Sequence, residues 1–296
     1  MKLKTELRLT FTAFLVVPTV LFVAFYVYPA AYTFYISLHR WDGFSPDMVF
    51  VGLANYARLL AQDRFLHAFQ NNVLWLVFYL LLPTSLGLLI AALLNQRVRG
   101  ANAFKVVFFV PYTITPVAVA AIWRWLFDPG SGLLNAALTG IGLGDYTQNW
   151  LGNRDIATYS IMLAALWWST GFAFLVYFAG IRNVPTEYVD AARIDGASYG
   201  QLFVRIIFPL LLPYTIVILA MSGIAAMRMF DLIWSLTSGG PAYASDVLAT
   251  QMFDVSFDRF DMGSGSAIAV MLLLISAAII LPYIVYTTRR LEGMRD

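Results

Sequence analysis

Gly196-Ala197-Ser198-Tyr199-Gly200 has the spacing of the GxSxG nucleophile elbow, where a serine on a strand-to-helix turn attacks a carbonyl with the help of a general base. The base is missing. The chain has two histidines, His39 and His67, both far upstream. No HExxH or other metal-ligand cluster occurs, and no Gly-Lys dipeptide, hence no GxxxxGK[ST] phosphate cradle. Cysteine is absent, which removes thiolate and disulfide chemistry. Hydrolysis and nucleotide binding by this chain are therefore not expected. The elbow lies instead inside a polar island, Glu187 to Arg205, that separates two long apolar runs. Glu187, Asp190, Arg193 and Asp195 recur there at helical spacing, chemistry suited to docking something outside a membrane.

Composition sets the elements that must position this island. Apolar residues make up 60% of the 296, charged residues 12%, and mean hydropathy is +0.73. Soluble domains carry about 25% charged residues, so the chain reads as a polytopic, all-α membrane protein. Six runs reach the ~20 residues a span needs: about Phe11–Leu38, Val73–Leu94, Val106–Phe127, Ala157–Ile181, Leu210–Leu236 and Gly265–Thr287. Pro18, Pro29, Pro83, Pro111, Pro116, Pro213 and Pro282 fall inside them, and neighbouring spans are expected to satisfy the carbonyls these free. The whole chain, 1–296, reads as one membrane domain.

With the N-terminus inside, the inner segments hold Lys2, Lys4, Arg8, Arg97, Arg99, Lys105, Arg182, Arg193, Arg205, Arg289, Arg290 and Arg295. The outer loops and helix ends hold Arg40, Arg58, Arg64, Arg124, Arg154, Arg228 and Arg259, while Asp246, Asp254, Asp258 and Asp261 crowd one outer loop. Both termini and the island are thus expected in the cytoplasm. The net charge of +2 comes from these anchors and points to no nucleic-acid partner. MKLKTELR before an apolar run has the look of a signal peptide, but the run exceeds the usual 7–15 residues, so a retained span is expected.

Within the island, Pro185 and Thr186 open a helix, Thr186 as cap and Glu187 and Asp190 as early-turn acids. Tyr188, Ala191, Ala192 and Asp195 share one narrow face, and Gly196 ends the helix. Ser198 with Gln201 makes a capping box for a second helix, whose Leu202, Phe203, Ile206 and Ile207 lead back to the membrane at Pro209. On residues alone this is either a docking surface or a solvated re-entry loop.

Two further groups stand out by depth. Trp75, Trp123, Trp125 and Trp234 fall near outer helix ends, the usual aromatic belt. Trp167 and Trp168 sit mid-span, followed by Ser169, Thr170, Gly171 and Phe172; this is either an aromatic-and-hydroxyl face for a sugar or tight helix packing. Arg228 and Asp231, three residues apart on one helix face, form either a structural ion pair or a cavity-lining contact.

Asp190-Ala191-Ala192, Gly196, Ile206 and Pro209 resemble the EAA loop of binding-protein-dependent ATP-binding-cassette importer permeases, with Asp190 for Glu and Phe208 for Leu. The likeness extends to Pro29 and Ser37-Leu38, to Val51-Gly52-Leu53-Ala54-Asn55-Tyr56, to Phe230-Asp231 and to Thr237-Ser238-Gly239-Gly240-Pro241, and is similar to the carbohydrate branch related to the maltose permease. Maltose permease has extra N-terminal spans and a large external insertion that this chain lacks. The resemblance implies a six-helix sugar-importer subunit in a bacterial plasma membrane, surrounded by lipid and forming half of a pore with a second permease. It implies two ATPase subunits, which bind ATP and magnesium, and an external binding protein. A short cytoplasmic helix between spans four and five, within a loop of about 182–209, would couple to an ATPase through Glu187, Asp190, Ala191, Ala192, Asp195 and Gly196. Trp168, Ser169, Phe172, Arg228, Met229 and Asp231 would line the substrate path; Ala226 and Met229 are apolar where maltose-permease contacts are polar. Alternatives are a permease for glycerol-3-phosphate or a polyol, with Arg228 meeting a phosphate, and a secondary transporter, for which only Asp231 is a candidate coupling acid.

Overall fold

The computed structural model describes residues 14–95 and 100–292. Lys2, Lys4, Arg8, Arg97, Arg99, Arg295 and the first residues of the expected first span lie outside them. The described residues are mostly helical. In chain order the helices used below are α1 Phe14–Ser37, α2 Asp63–Leu94, α3 Ala101–Thr113, α4 Pro116–Leu126, α5 Ala157–Arg182, α6 Thr186–Ile194, α7 Tyr199–Leu210, α8 Leu212–Met227, α9 Asp231–Thr237 and α10 Met262–Glu292. A two-residue antiparallel pair, His39–Arg40 with Val49–Phe50, is an exception to the all-helical expectation.

α1, α2, α5 and most of α10 are each long and apolar enough to cross a membrane. The runs expected as the third and fifth spans are not single helices. α3 and α4 meet at 107°, and α7 and α8 at 66°, so the count is four, or up to six if each bent pair is one span. α8 stops at Met227 and α9 begins only at Asp231, which also corrects the expectation that Arg228 and Asp231 share one helix face.

The residues fall into two compact units. The first comprises residues up to Phe65 with Gln251–Leu273; the second comprises Leu66–Thr250 with Leu274 onward. In the first, the buried Asn55 side chain donates to the carbonyls of Ser37 and His39 at 2.8 and 2.9 Å, and Tyr56 and Ser37 hydroxyls lie 2.6 Å apart. One asparagine thus ties the end of α1 to the Ala54–Leu60 helix, because two backbone acceptors freed at a helix end need donors. Arg64 and Arg259 both pair with Asp254.

In the second unit, glycines let helices touch backbone to backbone. A Cβ on Gly171 of α5 would lie 2.7 Å from the Phe108 carbonyl of α3, and one on Gly87 of α2 would lie 2.6 Å from the Phe174 amide of α5. Such approach is how spans pack where lipid offers no hydrophobic drive. Pro83 inside α2 cannot donate to the carbonyl of Tyr79, and the Thr84 hydroxyl does so instead at 3.1 Å. The substitute at this proline comes from the next residue, where a neighbouring span was expected. Trp75, expected in an aromatic belt, is fully buried against Phe78 and Tyr79, whereas Trp125 is exposed.

Gly87→Val should therefore cost about 1–3 kcal/mol through overpacking and lower the thermal unfolding midpoint in detergent by several degrees. Gly140→Ala, whose Cβ would meet nothing within 4 Å, should leave the midpoint unchanged.

Candidate functional site

The break between α3 and α4 sits at Ile114 and Thr115, where the chain is extended before Pro116 starts the next helix. The Ile114 carbonyl, left without a helical donor, accepts the Trp168 indole N–H at 3.0 Å. Trp168 is thereby fixed in orientation by its polar edge. Its ring face borders a cavity of about 340 Å³ whose walls are Tyr79 and Pro83 of α2, Tyr112 of α3, Trp168, Ser169 and Phe172 of α5, and Met221, Ser222 and Ala225 of α8. That volume falls in the range of small-molecule sites, ~300–1,000 Å³. Tyr112 lies 5.5 Å from Phe172 and 6.4 Å from Trp168, ring centre to ring centre, so three aromatic rings cluster in the cavity wall.

A second cavity of about 260 Å³ shares Tyr79, Trp168, Met221 and Ala225 with the first and is closed by Pro116, Arg228, Met229, Phe230, Asp231 and Leu232. It lies at the other helix break, between α8 and α9. Among the described residues neither Arg228 nor Asp231 has an ion-pair partner, and both are exposed, so of the two readings left open, a structural ion pair or a cavity-lining contact, the ion pair is not formed. Tyr79 donates to the Met229 sulfur at 3.4 Å, holding the break against α2. All six residues expected on the substrate path thus line one or other of two cavities with a common wall. Trp167 does not: it packs edge-on to Trp123 at 6.0 Å. The Ser169 hydroxyl donates to the Ala165 carbonyl at 2.6 Å, so only its acceptor capacity is left for a ligand.

Tyr79, Tyr112 and Met221 went unread in the sequence. Tyr79 carried a signal, a hydroxyl near the midpoint of a 32-residue apolar helix. Tyr112 lay between Pro111 and Pro116, the two prolines flanking the break.

The polar island forms α6, Gly196 and the start of α7. Pro185, and not Thr186, is the N-terminal cap residue of α6, and no side chain caps it. Gly196 takes φ +77°, with Gly196 N–H to Arg193 C=O at 3.0 Å and Ala197 N–H to Ala192 C=O at 2.9 Å, the Schellman stop that favours glycine. The Ser198–Gln201 capping box is present in both directions. The expected narrow face loses one member: Ala192 is 7% exposed and turned into the chain's own core with Leu202 and Ile207, in a cluster with Ile90, Ala91, Ala92 and Leu94 of α2 and Phe174, Tyr177 and Ile181 of α5. Tyr188, Ala191 and Asp195 of that face are exposed, as are Glu187, Asp190 and Arg193, the last two pairing at 3.8 Å, and Ile194, 86% exposed, was missed although it lies at i+3 and i+4 from Ala191 and Asp190. Tyr199 adds a hydrogen bond to the Ala92 carbonyl at 3.1 Å. α6 is therefore seated on the ends of the two helices that carry Tyr79 and Trp168.

Residues 83–289 match the family described as binding-protein-dependent transport system inner membrane component. The chain is 34% identical over 279 residues to the trehalose/maltose transport system permease protein MalF of Thermococcus litoralis, covering 94% of this chain and 93% of that protein. It is 34% identical over 257 residues to the xylose/arabinose import permease protein XacH of Haloferax volcanii, covering 86% and 80%. The crystal structure of a bacterial ABC transporter involved in the import of the acidic polysaccharide alginate has a chain of the same fold, with a TM-score of 0.84 at 20% identity, covering 98% of this chain and 99% of that one. A family match over most of the length, with relatives a third identical, settles the class: this chain belongs to the binding-protein-dependent ABC transporter permeases, multi-pass membrane proteins that are transport components and not enzymes.

Proposed function

We propose that this chain is one half of a heterodimeric pore in an ATP-driven sugar importer of a bacterial plasma membrane, with six spans and both termini in the cytoplasm. The observation that carries this is the pair of cavities sharing Tyr79 and Trp168, walled by aromatic rings and opening at two breaks in the helices. Sugars present C–H faces to aromatic rings and hydroxyls to nearby acceptors, and Trp168, Tyr112, Phe172 and Ser169 offer both. Relatives that import trehalose or maltose, and xylose or arabinose, favour the same substrate class. The bias of basic residues favours the orientation. Membership of this family disposes of the secondary-transporter alternative.

ATP and magnesium are bound by two separate ATPase subunits, a second permease closes the pore, and an external binding protein delivers the sugar. α6 presents Glu187, Asp190, Ala191, Ile194 and Asp195 to an ATPase groove: acids for charge-assisted contacts, and an isoleucine whose burial there is worth roughly 1.5–3 kcal/mol. Because Ala192, Leu202 and Tyr199 fix this segment to α2 and α5, a displacement of α6 is carried along both helices. From Ala92 to Tyr79 is about 20 Å and from Tyr177 to Trp168 about 14 Å at 1.5 Å per residue, so closure of the ATPases reaches the cavity walls directly. A second reading has one observation in its favour. Arg228, without an ion-pair partner among the described residues and lining the smaller cavity, would suit a phosphate, as in glycerol-3-phosphate.

Trp168 separates structural from ligand roles. Trp168→Phe keeps a ring but loses the donor to Ile114, and should lower stability by about 0.5–1.5 kcal/mol with little change in apparent sugar affinity. Trp168→Ala and Arg228→Ala should each weaken apparent affinity in transport assays roughly tenfold or more while basal ATP hydrolysis by the assembled importer persists. Wild-type transport in both alanine variants would place the path elsewhere.

At the docking surface, Asp190→Lys should reduce co-purification of the ATPase subunits or uncouple hydrolysis from transport. Gly196→Val should do likewise, because its side chain meets no atoms and the cost is backbone strain alone, whereas Gly196→Asn, which tolerates φ > 0, should retain most coupling. Normal coupling in Asp190→Lys and Gly196→Val would leave the island a plain loop.

A further inference from the structure

Away from the cavities and from the docking face, two cations converge on one ring. The Lys105 ammonium lies 4.4 Å from the centre of the Phe178 ring, and the Arg182 guanidinium 5.8 Å from it. Lys105 also reaches the Asn102 side-chain oxygen at 3.3 Å, a neutral partner. Among the described residues no carboxylate pairs with either cation. Two like charges drawn to one ring repel each other, and a cation–π contact, worth about 0.5–1 kcal/mol at an exposed site, offsets this only partly.

The backbone sharpens the imbalance. Arg182 closes α5, where a cation complements the carbonyl end of the helix dipole. Lys105 is in the first turns of α3, where the dipole favours an anion. α3 starts from Gly100 in the left-handed conformation with no side-chain cap on its free amides. The site therefore combines two cations and an uncapped helix start with nothing negative among the described groups beside it.

The surroundings say what kind of anion fits. Leu175 of α5 is an exposed apolar side chain on the same helix face as Phe178 and Arg182, and Phe104, which precedes Lys105 in α3, is exposed as well. A small soluble anion would leave these uncovered, whereas a phospholipid covers them with its acyl chains. The position also suits a headgroup, because α5 is a membrane-crossing helix and Arg182 is its last residue. We propose that Lys105, Arg182 and the start of α3 form a binding site for the phosphate of an anionic phospholipid, with Phe178 as its floor. This does not rest on the sugar reading.

The test uses the complete importer in nanodiscs of phosphatidylcholine, alone or with a minor fraction of phosphatidylglycerol, and counts phosphatidylglycerol retained after mild extraction by native mass spectrometry. The wild type should retain it in preference to phosphatidylcholine. Each cation is worth about fivefold at a membrane surface, so Lys105→Gln with Arg182→Gln should weaken retention by an order of magnitude or more, while Lys105→Arg restores it beside a native Arg182. Equal retention by wild type and the double variant would overturn the proposal. So would displacement of the lipid by inorganic phosphate alone, which would assign the pair to a soluble anion, or loss of the ATPase subunits from the double variant with lipid retention intact, which would assign it to protein docking.

Discussion

In hydrocarbon a backbone carbonyl has no water to turn to, so a helix within a membrane breaks only where protein or a lined cavity replaces the lost hydrogen bond. That constraint organises this chain. At the α3–α4 break the exposed acceptor is Ile114, and the group that satisfies it is Trp168, a residue whose other surface lines a cavity. At the α8–α9 break, Met229 is held by the Tyr79 hydroxyl, and Arg228 and Asp231 stand at the rim of the adjoining cavity. At the first break the partner that satisfies the irregular backbone is itself a cavity wall, and at the second a cavity wall, Tyr79, bonds a side chain of the break. Pro83 shows the contrasting case, a lost backbone donor replaced within one turn by Thr84 with the helix continuing on both sides.

The same economy connects the polar island to the cavities. α6 has few contacts of its own to hold it, yet Ala192 is buried, the Schellman stop at Gly196 turns the chain, and the capping box at Ser198 starts the next helix at once. Leu202, Ile207 and Leu211 then join Ile90–Leu94 and Phe174–Ile181 in one apolar cluster. Close packing transmits displacement because it has little free volume to absorb it. The glycine contacts of Gly87 and Gly171 further along make α2, α3 and α5 a tight set.

Much of this was legible in the residues. Long apolar runs announce spans, and α5 was expected within one residue of its observed end because no proline interrupts it. The Ser198 box and the Gly196 stop were readable because capping is local, decided within four residues. What failed was tertiary. Pro111 and Pro116 are compatible with a kink or a full reversal, and only packing against α5 decides for 107°. Ala192 looked like half of a small-residue docking face, because spacing gives a helix face but not the side on which the core lies. Arg228 and Asp231 looked like one face because the three-residue interruption, Arg228 to Phe230, contains no proline or glycine to mark it. Tyr79 was hidden for a related reason, a single hydroxyl in a run of apolar residues whose importance comes from the sulfur opposite it.

The absence of cysteine makes the most direct test a clean one. Ala225 lines both cavities, while Leu82, exposed within the length of α2 that is apolar enough to cross a membrane, lines neither. In the assembled importer, Ala225→Cys should react with a small charged thiol reagent, and the rate should fall when sugar-loaded binding protein and ATP drive substrate into the pore, with Leu82→Cys unreactive throughout. If Ala225→Cys is inert, or reacts at the same rate with and without transported sugar, the cavities behind the helix breaks are not the path.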